Sequence, residues 1–352
     1  MTTIRTVVVD DSAFVRKTVR TMLARHPGIE VVGVARDGEE ALELVDRLQP
    51  DVVTCDLVMP KLDGLGFVRR QMARKPVPIL LLTASALDGA SAMEALDAGA
   101  VDLVQKPTAL ATDDLLLISD ELVAKLEAVA RAPAGRLGLP SSPRLLASTS
   151  ALPAGGSSAG PRPRADVVVI GVSTGGPQAL RRMLPELPAD FPVPIAMVLH
   201  MPVGYTALFA EKLDEICALD VAEARDGDEL RPGLALLAPA GRHLTLRRHP
   251  DGRVRAQLSL HPLEKNHRPS VDVLFHSAAE TYASRVLGVV MTGMGDDGRE
   301  GSAWIKAKGG AVLTEAESSC IIYGMPRSVV ESGLSDRAIP LPGMAAALLS
   351  HL

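Results

Sequence analysis

Ser173 lies in a glycine-rich turn within the segment 166–180, which reads DVVVIGVSTGGPQAL. The apolar run 167–170 predicts a buried strand, and Pro177 suits the first turn of a following helix. The N–H groups of that helix start would favour an oxyanion that develops at whatever Ser173 attacks. A serine on a strand-to-helix turn is typical of a nucleophile elbow, although the spacing is not the usual G-x-S-x-G. A turn that holds a phosphate, or only redirects the chain, is the alternative interpretation.

His200 would supply the base that a nucleophilic serine requires. It follows the apolar run 193–199, which predicts a second strand, so His200 and Ser173 would share the carboxyl edge of one sheet. There the imidazole would take the hydroxyl proton of Ser173. A histidine after an apolar strand is more commonly structural, but its place beside a candidate nucleophile favours the catalytic interpretation.

A third turn, 292–298, follows another apolar run and reads TGMGDDG. A carboxylate in this turn would orient the imidazole and stabilise its protonated form. The spacing alone leaves both Asp296 and Asp297 open for that role. Backbone N–H groups near Thr174 and Met294 would hold the oxyanion, and loss of one such donor typically costs ~10²–10³ in rate.

A second group of polar residues lies in the first third of the chain, each at the end of a predicted strand. Three carboxylates crowded at one sheet edge repel one another unless a cation joins them, and hard oxygen ligands favour Mg²⁺. A lysine and a hydroxyl beside them would help to hold a phosphoryl group on an aspartyl nucleophile. These residues are Asp10, Asp11, Asp56 (the nucleophile), Thr83 and Lys106.

The elements that must position these residues alternate between strands and helices. In residues 4–126, five strands alternate with five helices, which predicts an α/β domain with a doubly wound, five-stranded parallel sheet. Residues 127–165 are rich in Pro, Gly, Ser and Ala and predict a flexible linker. Residues 166–349 predict a mostly parallel α/β hydrolytic domain with an antiparallel hairpin from 243–246 and 254–258.

The composition excludes several classes of protein. A hydrophobic content of 47% supports real cores and excludes wholesale disorder. The net charge of −5, without basic clusters among aromatic residues, gives no support for nucleic-acid binding. Only 3 Cys are present, which suits a reducing compartment. The first residues lack the plan of a signal peptide, and no apolar run approaches the ~20 residues of a membrane helix. We therefore expect a cytoplasmic protein without membrane insertion.

Three other functions are alternatives to the hydrolase. A nucleotide-binding module would use the turn at Ser173 as a phosphate cradle, but that turn lacks the P-loop lysine and the G-x-G-x-x-G spacing. A non-enzymatic regulator would use the second domain only for protein contacts. A transcription factor would need a basic recognition helix, and none is visible. The remaining histidines show no metal-ligand spacing and are expected at the surface or in the hairpin: His26, His243, His249, His261, His267, His276 and His351.

Residues 4 to about 126 resemble a response-regulator receiver domain. The resemblance implies that a chemotaxis histidine kinase phosphorylates Asp56, with Mg²⁺ bound by Asp10, Asp11 and Asp56. Leu103 departs from the Tyr or Phe that receivers commonly carry three residues before the lysine, so only the Thr83 part of the receiver switch carries over. The matching residues are Asp10-Asp11, Asp56, Met59-Pro60, Asp63-Gly64, Thr83-Ala84 and Lys106-Pro107.

Residues 166 to about 349 are similar to the catalytic domain of chemotaxis receptor protein-glutamate methylesterases, and the order of the two domains matches that family. The family pattern has a variable residue before the final Asp-Gly, so the resemblance selects Asp297 over Asp296, while Ser173 and His200 carry over directly. The motifs are GVSTGGP at 171–177, LHMP at 199–202, NHRPSVDVLF at 266–275, TGMGDDG at 292–298 and YGMPR at 323–327.

This second resemblance implies hydrolysis of glutamate γ-methyl esters on methyl-accepting chemoreceptors, which gives sensory adaptation. Many members of the family also deamidate specific glutamines, so we extend the expectation to that reaction. No cofactor is expected in the esterase site. A flexible linker between an aspartyl switch and a hydrolase site further predicts that the unphosphorylated receiver packs over the Ser173 cleft and blocks it. Phosphorylation would then activate hydrolysis, by roughly 5- to 150-fold for a coupling of ~1–3 kcal/mol.

Overall fold

A computed structural model of the chain describes residues 3–83, 89–106, 112–131 and 165–352, and within 112–118 only the backbone. The two predicted domains are confirmed, because each half builds its own parallel sheet. The linker assigned to 127–165 stays a prediction, since the first helical residues of that range belong to the receiver and 132–164 lie outside the described residues. No helix of the described ranges is long and apolar enough to cross a membrane.

The first domain is a five-stranded parallel sheet, as predicted, and its strand order is β2-β1-β3-β4-β5. Its strands are β1 Ile4–Val9, β2 Ile29–Ala35, β3 Val52–Asp56, β4 Ile79–Thr83 and β5 Asp102–Gln105. Its helices are α1 Ala13–Leu23, α2 Gly38–Leu48, α3 Gly64–Arg74, α4 Gly89–Asp97 and α5 Thr112–Ala130.

Side-chain caps start the helices that follow these strands. Ser12 Oγ accepts a hydrogen bond from the Val15 N–H at 3.4 Å, so α1 begins directly after the acidic end of β1. The backbone after β3 turns so tightly that a Cβ on Gly64 would lie 2.0 Å from the Asp56 carbonyl oxygen. Glycine is therefore required there, and the tight turn keeps Asp56 at the open edge of the sheet.

The second domain is built on a seven-stranded parallel sheet with the order β14-β13-β12-β6-β7-β9-β8, and β10 and β11 form the predicted antiparallel hairpin beside it. Its strands are β6 Val167–Val172, β7 Ile195–Leu199, β8 Asp220–Glu223, β9 Leu234–Leu237, β10 His243–Arg248, β11 Val254–Ser259, β12 Val286–Val290, β13 Ala311–Glu315 and β14 Arg337–Ile339. Its helices are α6 Gly176–Met183, α7 Thr206–Asp214, α8 Val271–Tyr282, α9 Arg299–Ala307, α10 Met325–Glu331 and α11 Met344–Ser350.

The centre of this sheet places three turns side by side. Strand β6 is buried along its whole length and pairs with β12 on one side and β7 on the other. In register, Val172 lies opposite Leu199, and Gly171 lies opposite Val290. The three strands therefore end at nearly the same level, and the residues that follow them face one another at the carboxyl edge.

The two domains pack against each other through α4 and β5 of the receiver and α6 and α7 of the second domain. Arg181 forms an ion pair with Asp97 at 2.5 Å, and Gln178 Nε2 donates to the Ala100 carbonyl at 2.9 Å. Thr174 Oγ1 donates to Asp102 Oδ2 at 2.8 Å. The receiver thus contacts the residue that directly follows Ser173.

Candidate functional site

Ser173 occupies the turn between β6 and α6, as predicted. Its N–H donates to the Thr292 carbonyl at 3.0 Å, and its own carbonyl accepts from the Gly176 N–H at 2.6 Å. Gly293, in the turn after β12, lies so close that a Cβ there would be 2.8 Å from Ser173 Cβ. The serine side chain is 6% exposed, so it sits in a narrow recess between two glycine-rich turns.

His200 and Asp297 are joined by a hydrogen bond of 2.9 Å between Nε2 and Oδ2. Both side chains are deeply placed, with 9% and 8% of their surfaces exposed. The second ring nitrogen of His200, Nδ1, has no hydrogen-bond partner within the described part of the chain. The His200 backbone N–H donates to the Val172 carbonyl at 3.2 Å, which places the imidazole beside the Ser173 turn. The structure thus joins two of the three predicted residues directly and places the third next to them.

Asp297 is held as an anion by the start of α8. Its carboxylate accepts from Ser270 Oγ and the Asp272 N–H through Oδ1, and from the Val271 N–H through Oδ2 at 2.8 Å. Burial by itself would raise the pKa of Asp297, but the hydrogen bond and charge of His200 and these N–H groups outweigh it and hold the pKa well below its usual value. Asp296 instead forms an ion pair with Arg299 at the surface.

Asp272 completes a reciprocal arrangement between two helix starts. Its Oδ1 accepts from the N–H groups of Gly298 and Gly301 at 2.9 and 2.8 Å, at the beginning of α9. Asp297 therefore caps the helix that carries Asp272, while Asp272 caps the helix that follows Asp297. Sequence reasoning missed this exchange, although both aspartates lie in motifs that were singled out.

The expected oxyanion donors, the N–H groups of Thr174 and Met294, lie on two turns that are connected by hydrogen bonds of Thr292. Thr292 Oγ1 donates to the Thr174 carbonyl at 3.0 Å and accepts from the Ile322 N–H at 3.0 Å. The Thr292 N–H donates to buried Glu315 at 2.9 Å, and burial raises the pKa of that carboxyl. This network fixes the turn that carries Met294 against the turn that carries Thr174.

His267 is a neighbour of His200 that the sequence did not predict. It was expected at the surface or in the hairpin, and it is exposed, as expected. Its ring also stacks on His200, with centroids 4.1 Å apart and an interplanar angle of 19°. Desolvation and, second, the charge of His200 lower the pKa of His267 to about 4. His243 lies in the hairpin, as expected, where it is fully buried and accepts a hydrogen bond from the Ser270 N–H.

The receiver brings its predicted acidic residues together. One carboxylate oxygen from each of Asp10, Asp11 and Asp56 lies within 4.8 Å of the others. Lys106 Nζ is 2.6 Å from Asp56 Oδ2 and 3.0 Å from Asp10 Oδ2. Burial raises the pKa of Asp56, although the Lys106 ammonium acts against that rise.

The other receiver residues lie where their strands predict. Thr83 is buried at the end of β4, and its carbonyl accepts from the Lys106 N–H at 2.7 Å. Leu103 is fully buried in β5 and pairs in register with Leu81 of β4. Ala84 and Pro107 of the receiver motifs lie outside the described residues.

Comparison with known families agrees with both halves of this description. The family model described as CheB methylesterase matches residues 168–348, and that of the response regulator receiver domain matches residues 6–116. The chain belongs to the CheB methylesterase family. Protein-glutamate methylesterase/protein-glutamine glutaminase 5 of Myxococcus xanthus is 52% identical to it, with 99% of this chain and 98% of that protein covered.

Further relatives extend the similarity of this CheB-family chain. Protein-glutamate methylesterase/protein-glutamine glutaminase 1 of Oleidesulfovibrio alaskensis is 42% identical, with 99% of each chain covered. The crystal structure of the Thermotoga maritima CheB methylesterase catalytic domain aligns with a TM-score of 0.52 and 41% identity. The alignment covers 53% of this chain and 99% of that domain, which corresponds to the second domain described above.

Proposed function

We propose that this chain is a protein-glutamate methylesterase that hydrolyses glutamate γ-methyl esters on chemoreceptors, with Ser173 as nucleophile, His200 as base and Asp297 as the orienting carboxylate. The observation that carries this proposal is the 2.9 Å hydrogen bond from His200 to Asp297 directly beside the Ser173 turn. Membership of the CheB methylesterase family supports the reaction class.

The proposed mechanism gives each nitrogen of the His200 ring a separate role. Asp297 is an anion, so His200 Nε2 carries the proton that it shares with Oδ2. Nδ1 then bears the free lone pair, and it is the nitrogen without a protein partner among the described residues. Nδ1 is therefore the atom that we propose takes the Ser173 proton.

The reaction then follows the two halves of serine hydrolysis. Ser173 Oγ attacks the ester carbonyl carbon while its proton passes to His200 Nδ1, and the carbonyl oxygen becomes an oxyanion beside the N–H groups of Thr174 and Met294. Collapse breaks the bond to the methoxy oxygen, which leaves as methanol with the proton from His200. Water attacks the acyl-serine with His200 again as base, and the receptor glutamate carboxylate is released.

Deamidation of a receptor glutamine would use the same groups. The only difference in the first half is the leaving group, because ammonia departs with the proton from His200 in place of methanol. The names of the Myxococcus xanthus and Oleidesulfovibrio alaskensis relatives include a protein-glutamine glutaminase, which supports this second activity. Both reactions end at the same product, a glutamate side chain with one added negative charge.

The receiver is proposed to take a phosphoryl group on Asp56 from a chemotaxis histidine kinase. The three carboxylates fit a hard divalent cation, because their oxygens converge within 4.8 Å, and we propose Mg²⁺ held by Asp10, Asp11 and Asp56. When bound, that ion would neutralise charge on the incoming phosphoryl group. Lys106 already pairs with Asp56 and Asp10 and would contact the phosphoryl oxygens, while Thr83 at the next strand end would respond to them.

A contact between the receiver and the turn after Ser173 supports inhibition by the unphosphorylated receiver. Asp102 Oδ2 pairs with Lys125 at 2.9 Å and also accepts from Thr174 Oγ1 at 2.8 Å. Thr174 follows the nucleophile and carries an expected oxyanion N–H, so the receiver holds the reactive turn itself. Ser173 and His200 are both deeply placed while this contact exists. Release of the interface on phosphorylation would admit the receptor helix.

The decisive experiment measures methanol release from a methyl-labelled receptor, with and without a small-molecule phosphodonor. We expect Ser173→Ala to abolish release under both conditions because no other hydroxyl replaces the nucleophile. Ser332→Ala removes an exposed serine hydroxyl at the end of α10 and should leave the rate unchanged. Release by Ser173→Ala at the wild-type rate would refute the mechanism, and a wild-type rate that ignores the phosphodonor would refute the proposed activation.

A further inference from the structure

One short segment contacts both the base and its carboxylate partner. His267 stacks on the His200 ring, while Ser270, Val271 and Asp272 donate hydrogen bonds to Asp297. The segment 267–272 therefore contacts both members of the His200–Asp297 pair. The mechanism above uses only the donors to Asp297 and leaves the stacked histidine without a task.

The hydrogen bond between His200 and Asp297 restrains the imidazole incompletely. A single in-plane contact at Nε2 fixes one distance, but the ring can still tilt about the line that joins it to Oδ2. Nδ1 has no partner within the described residues, so no second in-plane bond stops that tilt. A ring that lies parallel to the imidazole, at 4.1 Å, opposes tilting because it fills the space through which the ring would swing.

We propose that His267 is a positioning residue that holds the His200 ring in the plane where Nδ1 faces Ser173. The inference rests on the proposed esterase mechanism. It assigns to His267 no proton transfer and no contact with the scissile bond. His267 is exposed, while one face of its ring is stacked on the His200 imidazole.

The charge of His267 is compatible with this task. The charged groups that act on it are His200, Lys125, Asp296 and Asp297. With a pKa of about 4, its ring is neutral near pH 7. A neutral aromatic face beside a cation is favourable, so the stacked ring does not oppose the imidazolium that forms at His200 during each turnover. A permanently charged residue in this position would oppose it.

The test compares His267→Ala with His267→Phe in the full chain, in the presence of a phosphodonor and Mg²⁺. Phe keeps a flat ring but has no nitrogen, so it retains the stacking and loses any proton transfer. His249→Ala, in the hairpin turn away from His200, is the matched control. Two rates are measured: methanol release from methylated receptor, and sulfonylation of Ser173 by a small sulfonyl fluoride, which needs the base but no receptor.

We expect His267→Ala to lower kcat and the sulfonylation rate together by about 10- to 100-fold, because a displaced base is costly. KM should change by less than about 3-fold, and His267→Phe should restore both rates to within about 3-fold of wild type, as ring stacking alone predicts. His249→Ala should behave as wild type. Thermal unfolding of each variant should match wild type, because the exposed edge of His267 contributes little to the core.

Three outcomes would overturn the inference. Unchanged rates in His267→Ala would remove the positioning role, and a rise in KM with normal sulfonylation would make His267 a receptor contact instead. Failure of Phe to restore the rates would show that the nitrogen atoms are needed. If wild-type Ser173 neither reacts with the reagent nor releases methanol, the esterase mechanism itself fails, and that result is separate from any effect of His267.

Discussion

The receiver and the esterase domain each place a buried carboxylate at the carboxyl edge of a parallel sheet, yet the two carboxylates differ in their hydrogen bonds. Asp56 accepts from the Val58 N–H at 3.3 Å and pairs with Lys106. Asp297 accepts from His200 and from three donors at the start of α8. Burial raises the pKa of Asp56, whereas the donors around Asp297 lower its pKa despite burial.

In the proposed mechanism, this difference separates a group that reacts, Asp56, from a group that only orients, Asp297. Among the described residues Asp56 has only the Val58 N–H and Lys106 as partners, so a cation and a phosphoryl group could use its remaining lone pairs. Asp297 has no such freedom, because its lone pairs are occupied by donors that also build α8. A carboxylate saturated by a helix start stays ionised and stationary, which is what a partner of an imidazole base requires.

The largest effect is expected when the orienting carboxylate loses its charge. Asp297→Asn would present an amide to His200 and to the N–H groups of α8, so the imidazole would lose its fixed tautomer. We expect kcat to fall by roughly 10³–10⁴-fold, by analogy with the corresponding change in a serine protease triad. The measurement is methanol release in the presence of a phosphodonor.

Asp296→Asn is the matched control for that change, because Asp296 is adjacent but pairs with Arg299 at the surface. Its rate should stay within about 2-fold of wild type, as expected for a surface ion pair. An equal loss in both variants would mean that the turn, and not the Asp297 carboxylate, is what matters. A loss confined to Asp296→Asn would transfer the role to that residue.

An intermediate effect is expected at the interface that couples the two sites. Arg181→Ala removes the ion pair from α6 to Asp97 of the receiver, a partly buried contact. We expect methanol release without phosphodonor to rise by about 5-fold, which corresponds to ~1 kcal/mol of lost interdomain coupling. The fully activated rate should not change, because Arg181 touches no catalytic group.

The neighbouring Arg182→Ala tests whether that effect belongs to the interface. Arg182 lies on the same helix but is exposed, so its loss should leave the unstimulated rate unchanged. Equal activation by both variants would point to a general effect on α6. No activation by Arg181→Ala would mean that the Asp97 contact does not hold the receiver in place.

Local patterns predicted the strand ends well, because a buried parallel strand reads as a continuous apolar run. Val167–Val172 and the turn at Ser173 follow directly from such a run and its glycines. The helix Gly38–Leu48 was predicted to the residue, since Asp37 caps it and apolar positions recur along one face. The individual strands and helices after residue 298 were not predicted.

The site itself required contacts that no local pattern contains. His200 and Asp297 are 97 residues apart, and the spacing of the two aspartates left the choice to a family resemblance. His267 lies in the NHRPSVDVLF motif but was predicted only to be a surface or hairpin residue, because it shows no metal-ligand spacing with the other histidines. Its position just before a helix start that binds a carboxylate was the signal that could have found it.

The smallest expected effect asks whether the two carboxylates act on stability with opposite signs. A raised pKa in the folded protein means that ionised Asp56 opposes folding at pH 7, so Asp56→Asn should stabilise the receiver. A lowered pKa means that ionised Asp297 favours folding, so Asp297→Asn should destabilise the esterase domain. Each change is expected to be about 1 kcal/mol, or roughly 2–4 °C in Tm for domains of this size.

Calorimetry at pH 7 without Mg²⁺ measures both shifts, and Asp46→Asn, at an exposed position of α2, is the control. Lys106 keeps its contact with Asp10 in Asp56→Asn, so no buried cation is left unpaired. The gain from Asp56→Asn should shrink as the pH falls, because the wild-type carboxyl then becomes protonated. The benefit of Asp297 should persist to lower pH, until its own depressed pKa is reached. If both variants shifted Tm in the same direction, the number of hydrogen-bond donors could not explain why the pKa values of these two buried carboxylates shift in opposite directions.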